Sequence, residues 1–145
     1  MTKADQGSVP KWYWAIAAIA LIWNTLGVMA YVMQVSMSDE AMAALPLSQQ
    51  DLYAIMPSLY IAAFAIAVFA GLLGSLGLVL RKSWATLIFV ISLIAIALQQ
   101  IYMFFLSNTF EVMGDGAKIM PHMILVFAVF LVWFAWFSRR KGWTT

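Results

Sequence analysis

The sequence contains no cysteine and few charged residues, and each shortage excludes a class of protein. Without cysteine the chain forms no disulfide, holds no metal through thiolates and has no cysteine nucleophile. Asp, Glu, Lys and Arg make up 10% of the 145 residues, whereas about 25% is usual for a soluble domain. Hydrophobic residues make up 65%, and the mean hydropathy is +0.93. This composition predicts an integral membrane protein.

Motifs of common catalytic chemistry are missing as well. The sequence has no Gly-rich phosphate loop, no H-E-x-x-H and no G-x-S-x-G. Its eight Lys and Arg residues lie at the ends of apolar segments rather than along one stripe, so nucleic-acid binding is not indicated. We therefore expect neither an enzyme nor a bound cofactor.

Four long apolar runs predict membrane-spanning helices. They cover residues 12–34, 57–80, 84–106 and 119–137, each close to the roughly 20 residues that cross the hydrocarbon layer. Lipid cannot pair exposed backbone groups, and the runs lack the alternation of barrel strands, so they should be helical. We expect a single all-α domain, a four-transmembrane-helix bundle with residues 35–56 as its outer loop. A cleaved signal peptide is disfavoured, because the first run exceeds the usual apolar length of about 7–15 residues.

The positive charges predict the orientation. Seven of the eight bases lie in the two tails and the middle connection: Lys3, Lys11, Arg81, Lys82, Arg139, Arg140 and Lys141. Only Lys118 lies on the opposite side. Because cytoplasmic segments are enriched in Lys and Arg, this asymmetry predicts that both termini lie in the cytoplasm and that the protein spans the inner membrane.

The outer loop contains one helix signal. Ser48 and Asp51 have the spacing of a capping box, with Asp in place of the usual Glu. This spacing indicates a short helix on the membrane surface or over the bundle mouth, or else an ordinary capped connector, which we favour.

The two hairpins resemble each other at their ends. Met56-Pro57 opens the second span and Met120-Pro121 opens the fourth, and both spans finish in basic residues. An internal duplication would explain this. Convergence explains it better, because the interiors match poorly and such ends suit any spanning helix.

The second span carries small residues at helical spacing, which allow the backbones of neighbouring helices to approach closely. The predicted packing surface consists of Ala63, Ala67, Gly71, Gly74 and Ser75. It serves either within one bundle or between copies.

Uncharged polar residues gather toward the outer half of the spans, except for Asn24, which lies near mid-span. The candidates are Asn24, Tyr31, Gln34, Gln99, Gln100, Tyr102 and His122. One interpretation is that they pair between helices as structural hydrogen bonds. The other is a polar cavity for a neutral, hydroxyl-rich solute, because amides and phenols offer donors and acceptors without charge.

Nine of the ten methionines fall in the outer half of the chain's spans or in its outer loops. Thioethers are soft ligands that select Cu(I), so Met29, Met33 and Met37 together with His122 form a candidate copper site. The favoured alternative is that these methionines are flexible packing residues.

Several segments resemble a family of small bacterial four-span inner-membrane proteins, whose members are often labelled sugar transporters. They are Pro10–Trp14, Leu21–Tyr31, Arg81–Trp84 and Phe137–Trp143. The resemblance covers nearly the whole chain and implies the four-span fold and movement of a solute. It carries no catalytic or binding residues with it.

Two functions follow from these patterns. The first is a small permease or binding protein for a neutral, sugar-like solute, which would need a homo-oligomer because four helices leave little room for alternating access. The second is a non-catalytic accessory or scaffold subunit that binds lipids or other membrane proteins through the small-residue surface.

Overall fold

The computed structural model describes residues 8–145, and their regular structure is entirely helical. The four long helices are α1 (Lys11–Val35), α4 (Ser58–Val79), α5 (Ala85–Ile101) and α7 (Ile119–Arg140). Three short helices lie between them: α2 (Asp39–Ala43), α3 (Leu47–Ala54) and α6 (Thr109–Met113). A π-helical turn, Tyr102–Leu106, prolongs α5, and a 3₁₀ turn, Asp115–Lys118, leads into α7. Four helices are long and apolar enough to cross a membrane, which confirms the all-α prediction.

The four helices begin and end close to the predicted bounds. When the π-helical turn is counted with α5, the largest difference is at α7, which continues three residues past Phe137 to Arg140. Arg139 and Arg140 occupy its last turn, where positive charge interacts favourably with the negative end of the helix dipole. Hydropathy locates the end of the apolar run, but the helix itself continues through the basic residues that follow the run.

The long helices are arranged in the order α1, α4, α5, α7 around the bundle. Neighbours in this order pack closely, but the described residues of α1 and α7, which would close the ring, do not form a close-packed pair. On this side the two helices are joined by side chains rather than by close backbone packing.

The small residues of α4 lie inside the bundle. Ala63, Ala67, Gly71, Gly74 and Ser75 are all buried within this single chain. A Cβ added to Gly74 would lie 2.9 Å from the Phe89 ring of α5, a distance that forces a neighbour to move. The absence of a side chain at this position thus sets how closely α4 and α5 approach.

Aromatic side chains and the C-terminal tail close one end of the bundle, where α1 begins and α7 ends. We call this the basic end, since it carries every described base except Lys118; Lys3 lies outside the described residues. Buried Tyr13 donates a 2.5 Å hydrogen bond to the Leu78 carbonyl, and its ring lies 5.5 Å from that of Phe134. The Trp143 ring lies 5.2 Å from that of Trp12. These contacts join α1, α4 and α7.

The opposite, acidic end carries the connections between α1 and α4 and between α5 and α7, with Asp39, Glu40, Asp51, Glu111 and Asp115. There α3, from the loop between α1 and α4, contacts α6, from the loop between α5 and α7. The two connections thus meet across this end of the bundle.

The loop forms two helices, and the predicted cap is wrong. The carbonyl of Pro46 accepts from the amides of Gln49 and Gln50, so α3 begins at Leu47 and Ser48 lies within its first turn. The helix α2 has the side-chain cap instead: the Ser38 hydroxyl accepts from the Ala41 amide at 3.1 Å.

Candidate functional site

A cavity of about 330 Å³ lies in the middle of the bundle and is lined by residues of all four long helices. Its volume falls near the lower limit of ligand pockets, which range from about 300 to 1,000 Å³. The wall is mainly aliphatic and aromatic and includes Leu26, Phe64, Val68, Phe89, Ile96, Ile124 and Leu131. No charged side chain of residues 8–145 lines it.

The cavity is elongated along the helix axes. On α7 its lining extends from Met120 to Leu131, and on α5 from Phe89 to Gln99. At a rise of about 1.5 Å per residue it spans roughly 15 Å, half the hydrocarbon thickness of about 30 Å. It reaches from the middle of the bundle toward the acidic end.

One side of the cavity opens between α1 and α7. Leu26 of α1 and Met120 of α7 both line it, yet they are 55% and 54% exposed. They therefore stand at its mouth. Nearer the basic end the same gap is bridged by Trp23 and Phe127, whose ring centroids are 5.0 Å apart. The mouth faces the surroundings of the bundle, where a membrane protein meets lipid.

The hydrogen-bond donors deep in the cavity wall are engaged within the protein. Asn24 Nδ2 donates to Ser75 Oγ at 3.0 Å and to the Ala20 carbonyl at 2.9 Å. The Ser92 hydroxyl donates to the Ala67 carbonyl at 2.6 Å. Asn24 joins α1 to α4 and Ser92 joins α5 to α4, so both serve as interhelical hydrogen bonds.

Gln99 differs from these residues. It lines the end of the cavity nearest the acidic end, and it is half-buried. Across residues 8–145, its side chain has no hydrogen-bond partner. Its amide is therefore a polar group at the cavity wall that remains available to a ligand.

The other five predicted polar residues do not line this cavity. The Gln34 amide donates to Met56 Sδ at 3.5 Å, and the Gln100 amide donates to the Pro121 carbonyl at 2.6 Å. Tyr31, Tyr102 and His122 each make other local contacts: Tyr31 packs edge-on against Phe64, Tyr102 packs against Tyr60, and His122 Nδ1 donates to the Lys118 carbonyl. Of the seven residues, the structure brings only Asn24 and Gln99 to the cavity.

Sequence reasoning missed most of the lining because it is apolar. Trp23, Phe89 and Phe127 border the cavity, but in a spanning helix apolar residues face both lipid and protein. Hydropathy therefore gives no signal that separates a cavity wall from a lipid-facing surface.

The proposed copper ligands lie in different surroundings. Met29 and Met33 are 54% and 70% exposed, and Met37 lies beyond the end of α1. His122 packs edge-on against Phe104 with its Nδ1 held by the Lys118 carbonyl. Copper binding through these residues stays a prediction.

The chain matches no family model, no curated protein and no solved structure at a significant level.

Proposed function

We propose that the protein binds an uncharged, mainly apolar molecule, which enters the central cavity from the lipid phase between α1 and α7. The observation that carries this proposal is the cavity's position: it is lined by apolar side chains, closed toward the basic end and open sideways. A molecule dissolved in the bilayer meets such an opening directly, without crossing water.

The lining determines the chemistry of the ligand. A charge placed among apolar side chains loses its hydration without a partner, so a neutral ligand is favoured. Each sugar hydroxyl left unpaired there would cost about 1–3 kcal/mol. Since Asn24 Nδ2 and the Ser92 hydroxyl already donate within the protein, a hydroxyl-rich solute receives less support than a ligand with one polar group.

Length and polarity together suggest an aliphatic chain ending in a hydroxyl or similar group. An extended chain would lie along the roughly 15 Å cavity, with its polar end beside Gln99 and its apolar end near Leu131. That orientation places the polar group toward the membrane interface and the chain in the apolar interior.

The proposal is tested with 12-bromododecanol, whose bromine quenches tryptophan fluorescence on contact. Trp23 is the tryptophan that lines the cavity, so binding should give a saturable component of quenching that Trp23→Phe removes. Ala30→Phe, at the cavity wall, should weaken this component at least tenfold. Ala18→Phe makes the same change at an exposed position of α1 outside the lining and should leave it unchanged.

If quenching rises linearly with probe and is the same in all three variants, the probe only dissolves around the protein and the binding proposal fails.

The accessory-subunit alternative receives less support. Its predicted contact surface on α4 is buried within the chain's own bundle, so a partner would have to bind elsewhere. A homo-oligomer likewise stays a prediction, and binding of a single chain-like ligand does not require one.

We infer that both termini face the cytoplasm of a bacterial inner membrane. The support is that six described bases lie at the basic end, whereas Lys118 lies at the acidic end. Because the protein lacks cysteine, Gly116→Cys and Thr145→Cys each introduce a single thiol. An impermeant thiol reagent should label the first in intact cells and the second only after lysis; the reverse pattern would contradict the orientation.

A further inference from the structure

Arg81 is held in place at the basic end while part of its guanidinium stays available. The residue lies in the turn between α4 and α5, and its φ of 57° is the only positive value among the described non-glycine residues. This conformation is unfavourable for a residue with a Cβ. Arg81 Nε donates a 2.7 Å hydrogen bond to the Trp143 carbonyl. Its two Nη groups donate to no other described residue.

No acidic side chain of residues 8–145 forms an ion pair with this arginine. The one ion pair of residues 8–145 joins Lys118 to Asp115 at 3.4 Å, at the acidic end. The positive charge of the basic end is therefore not compensated by any described acidic side chain.

The tail brings further bases to Arg81. The Thr145 amide donates to the Arg81 carbonyl at 2.9 Å, and the Ser83 amide donates to the Thr145 main-chain oxygen at 3.0 Å. This pairing places Lys82 beside the segment that follows the last turn of α7, which carries Arg139. The bases of the α4–α5 turn and those at the end of α7 thus lie at the same end of the bundle.

Exposed aromatic side chains lie at the same end of the bundle as these charges. The Arg140 guanidinium lies 4.8 Å from the Trp136 ring centroid, and Trp84 and Trp136 are 41% and 45% exposed. Exposed tryptophans are typical of the level of lipid head groups, which sets the bases at the depth of phosphate groups rather than in bulk water.

We propose that Arg81, Lys82 and Arg139 bind the phosphate of an anionic phospholipid. The two free Nη groups of Arg81 match the geometry of phosphate oxygens, and the lysine and second arginine supply additional charge. The adjacent apolar surface lets the lipid chains stay in the bilayer. This site lies at the end of the bundle opposite the opening of the cavity, and the proposal does not depend on what the cavity binds.

The test titrates phosphatidylglycerol into the purified full chain in neutral detergent and follows the melting temperature. A lipid that binds the folded state raises it according to its dissociation constant. Phosphatidylglycerol should raise the melting temperature, with an effect that falls as salt increases. Phosphatidylcholine and inorganic phosphate at equal concentration should not.

Matched variants locate the site. Lys82 and Arg139 are exposed, and their side chains make no hydrogen bonds within residues 8–145, so Lys82→Gln with Arg139→Gln should fold normally. The double variant should bind phosphatidylglycerol about 25-fold more weakly, which is roughly fivefold for each charge removed. Lys118→Gln, at the acidic end, should leave it unchanged.

Three results would overturn the proposal. Equal shifts with phosphatidylcholine would mean that any lipid suffices, and equal shifts with inorganic phosphate would mean that a free anion is the ligand. If Lys118→Gln loses as much affinity for phosphatidylglycerol as the double variant, the total charge of the protein, and not this cluster, attracts the lipid.

Discussion

The side-chain amide of Asn24 and the hydroxyl of Ser75 are joined by a 3.0 Å hydrogen bond between α1 and α4. The same amide also donates to Ala20 within α1, and Ser75 donates to the Gly71 carbonyl within α4. The pair therefore ties two helices together with polar groups that lie inside the bundle. Asn24 also forms part of the cavity wall, so structure and proposed ligand binding depend on the same residue.

Replacing Asn24 should destabilise the bundle. Asn24→Leu removes the interhelical bond, and such bonds contribute about 0.6–2 kcal/mol in membranes. Unfolding in mixed micelles by increasing sodium dodecyl sulfate measures the change. Thr25→Val is the control, since the Thr25 hydroxyl bonds only to the Leu21 carbonyl of its own helix. Equal losses in both variants would show that the contact with Ser75 contributes nothing.

A methyl group at Gly71 should also be destabilising. A Cβ at this position would overlap the side chain of Asn24, and overpacking of this kind costs about 1–3 kcal/mol. The same unfolding assay should find little change for Gly116→Ala, because a Cβ at Gly116 would meet no atom within 4 Å. If Gly71→Ala is as stable as Gly116→Ala, the close approach of α1 to α4 is not required.

Tyr13 should stabilise the basic end through its hydroxyl. The side chain is fully buried and donates to the Leu78 carbonyl at 2.5 Å, so Tyr13→Phe should lower the free energy of unfolding by about 1 kcal/mol. Tyr53→Phe makes the same change where the hydroxyl bonds to no described residue, and it should have no effect. A loss confined to Tyr53→Phe would contradict this assignment.

Gln99 should select for a polar group on the ligand. In the quenching assay, Gln99→Leu should weaken the binding of 12-bromododecanol about fivefold, because one hydrogen bond is lost. Binding of 1-bromododecane, which lacks the hydroxyl, should be unchanged or slightly stronger. Equal effects on both probes would mean that the chain is recognised without its polar end.

The helices themselves could be predicted because lipid imposes one simple requirement on the sequence. Long stretches without charge must span, and their backbone must pair internally. The packing surface of α4 could be predicted as well, because the spacing of Gly71 and Ser75 places them on one helix face. Both features depend only on the local sequence and on the surrounding lipid.

The site could be predicted only in part, because it depends on which helices become neighbours. Asn24 was correctly placed at mid-span, but its partner Ser75 is 51 positions away in the sequence. Gln100 adjoins Gln99, yet it donates to the Pro121 carbonyl instead of lining the cavity. Which partner a polar side chain meets depends on how its helix is rotated about its own axis. An apolar sequence without charges does not specify that rotation. The π-helical turn at Tyr102–Leu106 likewise has no sequence signal.

The position of a bound ligand tests the account most directly. A crystal structure of the protein with 12-bromododecanol, recorded at the bromine absorption edge, locates the bromine by its anomalous signal. The account predicts a peak inside the bundle near Leu131 and Phe89, where the cavity ends, with the hydroxyl toward Gln99. Bromine found only on the outer, lipid-facing surface of the helices, with the cavity unchanged, would contradict it.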